Sequence, residues 1–238
     1  MNKIKLFCFP YAGGSAMIYN KWEPFLDGSI ILKPIELPGR GKRIKEKPMT
    51  SLDEIIEDIL NTIESDIKVG EPYALFGHSM GGLIVHQLLE KIQTNKMPLP
   101  MHAFFSGKGV PHIERKKKNY HLMDDDTFKK EIMNLGGTPP NFFEYPELVD
   151  IFLPLLRNDF SIADTEIHTQ KYEQRTINIT AMFGKEEEFC EEKRNGWKNY
   201  TIGSCTLKYF KGGHFFIHDE TKEIVKVINN ELVTFAKA

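Results

Sequence analysis

The chain has 238 residues, of which 41% are hydrophobic and 27% charged, and its formal net charge at pH 7 is −2. This size fits one domain with a sizeable core, and the near-neutral charge gives no electrostatic reason to expect nucleic acid or a membrane surface as a partner. Three cysteines, Cys8, Cys190 and Cys205, have no paired spacing, which argues against a disulfide framework and a zinc site. No signal peptide and no apolar stretch of about 20 residues is visible, so we expect a cytoplasmic protein.

Strands and helices alternate along most of the chain. Short apolar runs predict six strands, at Lys3–Phe9, Ser29–Ile35, Tyr73–Phe76, Met101–Ser106, Asn178–Phe183 and Cys205–Phe210. Apolar residues at helical spacing predict helices at 51–63, 83–92 and 221–235, and Ser51 with Glu54 forms a capping box at the first of them. The alternation predicts an α/β fold with a mostly parallel sheet covered by helices on both faces.

The segment 108–171 breaks this alternation. It is helical and irregular, with helix candidates at Asp124–Leu135 and Glu147–Leu156. We interpret it as a lid inserted into a single domain that spans residues 1–238. Its sharpest charge cluster, Arg115–Lys118, suits the docking of an acidic partner, and a solvated loop explains it equally well.

A serine lies at the turn between the third strand and the following helix. The pentapeptide Gly77-His78-Ser79-Met80-Gly81 fits the G-x-S-x-G pattern, and its position is the one that a nucleophile elbow requires. Such a turn exposes the Ser79 hydroxyl at the carboxyl edge of the sheet, and the backbone N–H of Met80 then lies where it can stabilise an oxyanion. The alternative is a glycine-rich connection that only reverses the chain direction.

A serine hydroxyl needs a base to take its proton, and eight histidines compete for that role. His214 lies in a glycine-rich loop between the last strand and the last helix, where the chain returns to the nucleophile. The nearest alternative is His218. His78 is adjacent to Ser79, so that their side chains diverge, and His86 falls in the following helix, where packing is its more ordinary role.

The acid of a triad should follow the strand Asn178–Phe183. Three glutamates stand there, and Glu187, three positions after Gly184, lies at the offset where such loops present their acid. Glu186 and Glu188 remain open as alternatives, since a run of glutamates is usually a solvated charge cluster.

A second oxyanion donor is expected in the loop after the first strand, Phe9-Pro10-Tyr11-Ala12-Gly13-Gly14. The backbone N–H of Ala12 is our first choice and that of Tyr11 the second. An ordinary Pro-Gly turn is the alternative.

Seven motifs in order give the sequence a resemblance to the type II thioesterases of non-ribosomal peptide and polyketide synthesis, a branch of the α/β-hydrolases. The motifs span nearly the whole chain, at residues 9–14, 36–41, 77–81, 106–112, 135–139, 156–160 and 212–215. The resemblance implies an α/β-hydrolase fold with Ser79 as nucleophile, His214 as base and oxyanion donors near Ala12 and Met80. The acid in this family is normally Asp, whereas this sequence has Glu187.

The resemblance also implies a reaction. Its members hydrolyse acyl or aminoacyl thioesters from the phosphopantetheine arm of an acylated carrier protein, which clears mis-primed or stalled synthases, and they need no metal or cofactor. The expected partner is therefore an acylated carrier protein, and the expected oligomeric state is a monomer. The alternatives are an acyl-CoA thioesterase or carboxylesterase, acyl transfer to an acceptor other than water, and a non-catalytic binding protein on a hydrolase scaffold.

Overall fold

The computed structural model of the chain describes residues 3–113, 119–138, 141–165 and 174–235. In this part of the chain, six strands form one parallel sheet, with the order β2-β1-β3-β4-β5-β6. The strands are β1 Ile4–Phe9, β2 Ile30–Pro34, β3 Tyr73–His78, β4 His102–Ser106, β5 Asn178–Gly184 and β6 Cys205–Phe210. All six predicted strands are confirmed, and β3 continues two residues beyond its predicted end.

The helices flank this sheet. The α-helices are α1 Leu52–Ile63, α2 Met80–Thr94, α3 Asp125–Leu135, α4 Pro146–Ala163, α5 Glu191–Asn195, α6 Phe216–Asp219 and α7 Thr221–Phe235. The 3-10 helices include Ala16–Phe25, which the sequence patterns did not predict. The predicted capping box is confirmed at α1, where the Ser51 side chain accepts a hydrogen bond from the Glu54 backbone.

Alternating side chains of the strands fill two cores, one on each face of the sheet. Phe7 and Leu75 pack in the core that holds the apolar faces of α1 and α2. Leu6 and Phe76 point the other way, into the core formed with α7 and the 3-10 helix Ala16–Phe25. Both faces are therefore covered, as the near-continuous apolar strands of a parallel sheet require.

The predicted insertion lies between β4 and β5. Its helices α3 and α4 share a small core of their own with the 3-10 helix Tyr120–Leu122. The predicted end of the second helix, Leu156, is wrong, since α4 continues to Ala163 through Pro154. The cluster Arg115–Lys118 lies outside the described residues, and so does the end of the predicted insertion.

No helix in the described ranges is both long enough and apolar enough to cross a bilayer. Over the same ranges, no three His, Cys, Asp or Glu side chains cluster in a way that would hold a metal ion.

Candidate active site

The turn at Ser79 has the tight geometry that its sequence predicts. Ser79 has φ 55° and ψ −110°, a region that residues with a side chain rarely occupy. A Cβ atom on Gly77 would lie 2.0 Å from the carbonyl oxygen of Gly81, so only glycine fits there. The N–H of Ser79 donates to the carbonyl of Ser106 at the end of β4, at 2.8 Å. The strained turn is thus fixed to the neighbouring strand, with the Ser79 side chain half-buried at the carboxyl edge of the sheet.

The loops after β5 and β6 bring a carboxylate and an imidazole into contact. Oε1 of Glu187 lies 2.6 Å from Nδ1 of His214. Because an ionised carboxylate can only accept, the His214 Nδ1–H donates this bond, which leaves Nε2 as the proton-accepting nitrogen of the ring. The His214 side chain is 25% exposed, whereas that of Glu187 is 4% exposed.

Burial separates Glu187 from its two neighbours. Glu186 and Glu188 are exposed, while the Glu187 side chain turns inward. Its Oε2 accepts the N–H of Gly184 at 2.7 Å, and its backbone carbonyl accepts a hydrogen bond from Arg194 at 2.7 Å. The carboxylate is therefore held from both sides, by its own loop and by the His214 ring.

His78, the residue before Ser79, is fully buried and lies beside His214. Its Nδ1 lies 2.9 Å from Oγ of Ser106, and its ring centroid lies 5.1 Å from that of His214. Burial, and then the nearby His214 and His218, hold the pKa of His78 well below its usual value, so its ring is neutral. A Cβ atom on Gly107 would lie 2.8 Å from the His78 ring and 3.1 Å from the His214 ring, so glycine there leaves room for both.

The alternative base, His218, has a different partner. Its Nε2 lies 2.9 Å from the hydroxyl of Tyr11, and its ring stacks on Phe215. Burial lowers the pKa of His218 and raises that of Tyr11 to about 12. These rings form a wall beside the site. His86, the other candidate, is buried within α2, where burial lowers its pKa to about 3.

The loop after β1 lies against the start of α2. A Cβ atom on Gly81 would lie 2.2 Å from the carbonyl oxygen of Phe9, so the loop and the helix N-terminus touch through their backbones. The N–H of Gly13 donates a hydrogen bond to Oδ2 of Asp159 at 2.7 Å, and the N–H of Gly14 donates one to the carbonyl of Tyr11 at 2.8 Å. Two amides of the loop are thus committed to the fold, and Tyr11 and Ala12 carry the remaining candidate donors beside Met80.

Sequence reasoning assigned no role to Arg40 or Asp159, although both stand in motifs that it singled out. The structure joins them in a buried ion pair next to the loop after β1. A signal was present in the helical pattern. Asp159 is spaced three or four residues from Leu155, Leu156 and Ile162, and so falls on the buried face of α4, where a lone carboxylate needs a partner.

Comparisons with known proteins agree with this architecture. Residues 4–232 match the family model described as "Thioesterase domain". The chain is 34% identical to the gramicidin S biosynthesis protein GrsT of Aneurinibacillus migulanus, over 97% of this chain and 89% of that protein. The structure of ClbQ from the colibactin NRPS/PKS pathway superposes with a TM-score of 0.89 at 30% identity, covering 98% of both chains. The type II thioesterase BorB from the borrelidin biosynthetic cluster superposes with a TM-score of 0.84 at 28% identity, covering 97% of this chain and 93% of that one. The predicted α/β-hydrolase fold is thereby confirmed.

Proposed function

Because this chain belongs to the thioesterase family, we propose that it hydrolyses acyl or aminoacyl thioesters carried on the phosphopantetheine arm of a carrier protein. The names of its relatives support a role in non-ribosomal peptide or polyketide synthesis, where such hydrolysis removes mis-primed or stalled groups. In this role the enzyme acts in the cytoplasm as a monomer, its partner is the acylated carrier, and it uses no metal or cofactor.

One observation carries the mechanism, the 2.6 Å hydrogen bond between Glu187 and His214. A carboxylate that accepts a hydrogen bond from Nδ1 fixes the tautomer in which Nε2 can take a proton. It also stabilises the imidazolium that forms when Nε2 has taken that proton. The His214 ring also lies 5.1 Å from that of His78, the residue before Ser79. This proximity supports His214 as the base for the Ser79 hydroxyl.

The reaction then proceeds in two steps. His214 takes the Ser79 proton as Oγ attacks the thioester carbonyl, and the backbone N–H groups of Met80 and Ala12 stabilise the oxyanion. The C–S bond breaks, the proton passes from His214 to the departing pantetheine sulfur, and an acyl ester remains on Ser79. Water, deprotonated by His214, attacks this ester and releases the free acid and the serine.

The segment between β4 and β5 is proposed as the lid over this site. Two contacts support the proposal. A Cβ atom on Gly137 would lie 2.3 Å from the ring of Phe215, and one on Gly13 would lie 2.3 Å from the side chain of Leu156. Residues of the insertion therefore touch both the loop that carries the base and the loop that carries the oxyanion donor.

The test is intact-protein mass spectrometry of an acylated carrier protein that is incubated with the wild type or with Ser79→Ala. We expect the acyl mass to disappear with the wild type only. A fluorophosphonate probe should label the wild type and leave Ser79→Ala unlabelled, since only an activated serine reacts with it. Loss of the acyl group at an equal rate with both proteins would refute the role of Ser79.

The same acyl group should also be offered on coenzyme A and as a simple ester. A higher kcat/KM on the carrier-bound form is the expected result. Equal or better hydrolysis of the coenzyme A thioester would instead identify a free acyl-CoA thioesterase, and a preference for the oxygen ester would identify a carboxylesterase.

A further inference from the structure

A buried ion pair connects two distant segments next to the catalytic loops. Nη1 and Nη2 of Arg40 donate to the two carboxylate oxygens of Asp159 at 2.5 and 2.8 Å. The Arg40 side chain is 4% exposed and that of Asp159 is fully buried. The residues are 119 positions apart, Arg40 in the loop after β2 and Asp159 on α4. Because burying two charges is costly, such a pair contributes little net stability compared with an apolar pair, so stability alone does not explain its presence here.

Both members of the pair also hold the loop after β1. Oδ2 of Asp159 accepts the N–H of Gly13 at 2.7 Å, and Nη1 of Arg40 donates to the carbonyl of Gly14 at 3.2 Å. Gly13 has φ +75°, and a Cβ atom on it would lie 2.3 Å from Leu156, one turn before Asp159 on α4. The glycine turn is therefore seated directly on the lid helix and bonded to both charges.

We propose that Arg40 and Asp159 are positioning residues, which fix the backbone N–H of Ala12 at the oxyanion site by holding the adjacent peptide of Gly13 on α4. This inference rests on the proposed function, because it assigns a task to the loop that carries the second oxyanion donor. An N–H donor must lie within hydrogen-bond distance of the developing charge, and a displacement of about 1 Å costs about 100-fold in rate. The same contacts make the geometry of the oxyanion site depend on the docking of α4.

A purely structural role for the pair predicts something different, namely lower stability with unchanged chemistry in the molecules that are folded. The chain offers a matched comparison. Arg43 and Asp58 form a second ion pair with two hydrogen bonds, at 2.6 and 2.9 Å, which joins the same segment after β2 to α1. Arg43 also donates to Glu46 and to the carbonyl of Glu36, and its hydrogen bonds in the described residues do not include Gly13 or Gly14.

The experiment compares two double variants. One carries Arg40→Met and Asp159→Leu, and the other carries Arg43→Met and Asp58→Leu. Removing both charges together avoids a buried unpaired charge. The substrate is a p-nitrophenyl ester, which needs no carrier protein. We expect the first double variant to fold cooperatively, to lose about 10- to 100-fold in kcat with less than a threefold change in KM, and to react with a fluorophosphonate more slowly by a similar factor. The Arg43/Asp58 variant should keep kcat within about threefold of the wild type.

Asp159→Asn provides the conservative rescue. Its amide oxygen can still accept the N–H of Gly13, so we expect its kcat to lie between those of the wild type and the Arg40/Asp159 double variant. A folded Arg40/Asp159 double variant with kcat within about threefold of the wild type would overturn the proposal, and so would an equal loss in the Arg43/Asp58 variant.

If the first double variant does not unfold cooperatively, Arg40→Lys decides. A lysine keeps the charge but cannot hold both carboxylate oxygens and the Gly14 carbonyl together. We expect about a tenfold loss of kcat in this variant, and wild-type turnover would refute the proposal. Ser79→Ala in the same ester assay separates the two hypotheses. If it retains the wild-type rate, the serine mechanism fails. If it is inactive while the Arg40 and Asp159 variants turn over normally, only the positioning role fails.

Discussion

Three buried histidines predict that the fold loses stability in mild acid. Burial lowers the pKa of His86 and of His102 from 6.5 to about 3, and positive charges on Arg175 and Lys108 add to the effect at His86. Burial also holds the pKa of His78 well below its usual value. All three rings are neutral in the folded protein and become protonated when the chain unfolds below about pH 6.5.

The sign and size of the effect follow from this difference. The unfolded state binds more protons than the folded state between about pH 6.5 and 3, so the free energy of unfolding falls as the pH falls. At pH 5, which is about 1.5 units below the unfolded pKa, each histidine costs about 2 kcal/mol, and His86 and His102 together cost about 4 kcal/mol. His78 acts in the same direction. Because domains of this kind are stable by about 5–15 kcal/mol, this loss is a large share of the total.

Carboxylates do not interfere in this pH range. Burial alone would raise the pKa of Asp66, but hydrogen bonds from Lys33 and Lys5 outweigh it and hold this pKa below its usual value. A hydrogen bond from Lys5 likewise lowers the pKa of Glu71. The stability that such groups contribute is present above their unfolded pKa of about 4 and is lost only as the pH falls below it. Between pH 6.5 and 5 the histidines therefore dominate.

The assay is urea unfolding at pH 8, 7, 6 and 5, followed by the fluorescence of the two buried tryptophans, Trp22 and Trp197. We expect the free energy of unfolding to be flat above pH 7 and then to fall by about 2.7 kcal/mol per pH unit or more. The variant His86→Gln/His102→Gln should remove about that much of the slope. A wild type that loses less than about 1 kcal/mol between pH 6.5 and 5 would refute the reasoning, and so would a double variant with an unchanged slope.

Further predictions concern single positions. Glu187→Gln should keep the fold but lose about 100- to 10,000-fold in kcat, because the amide no longer fixes the His214 tautomer, while the exposed Glu188→Gln should stay within about twofold of the wild type in the same steady-state assay. Gly77→Ala would place a Cβ atom 2.0 Å from backbone, so we expect loss of fluorophosphonate labelling and a lower Tm. Gly28→Ala meets nothing within 4 Å and should change neither, and an unaffected Gly77→Ala would contradict the elbow geometry. Ser51→Ala removes the cap of α1 and should lower the free energy of unfolding, measured by urea unfolding, by about 1 kcal/mol. Its kcat should not change, and a loss of kcat would contradict a purely structural role.

Local patterns were sufficient where local forces decide the structure. The strand β3 and helix α2 meet at a turn in which Gly77 is required by backbone contact with Gly81, so this constraint lies within the five residues of the turn, whereas Gly81 is required by the carbonyl of Phe9 on β1. The helix α1 likewise shows its cap and its apolar stripe within its own residues. These elements could be read without knowing their neighbours.

Long-range contacts decided the features that the patterns missed. The extension of α4 past Leu156 brings Asp159 to Arg40, and Arg157 donates to the carbonyls of His121 and Met123. His121 and Met123 lie 36 and 34 positions from Arg157 along the chain, and Arg40 lies 119 positions from Asp159. A helix boundary that depends on such contacts is not written in its own segment. The predicted helix already included Pro154 and ended at Leu156, whereas α4 continues to Ala163.

The position of Glu187 lies between these two cases. Its offset from Gly184 singled it out from three adjacent glutamates, but only the fold shows why a glutamate suits the site. The Glu187 side chain turns back, so that Oε2 accepts the N–H of Gly184. Its Oε1 accepts a hydrogen bond from His214, in the loop after the neighbouring strand β6. An aspartate from the same backbone position would be one methylene shorter and could not span both donors without a different loop path. The departure from the usual Asp is therefore compensated within the loop, which keeps the carboxylate on the imidazole.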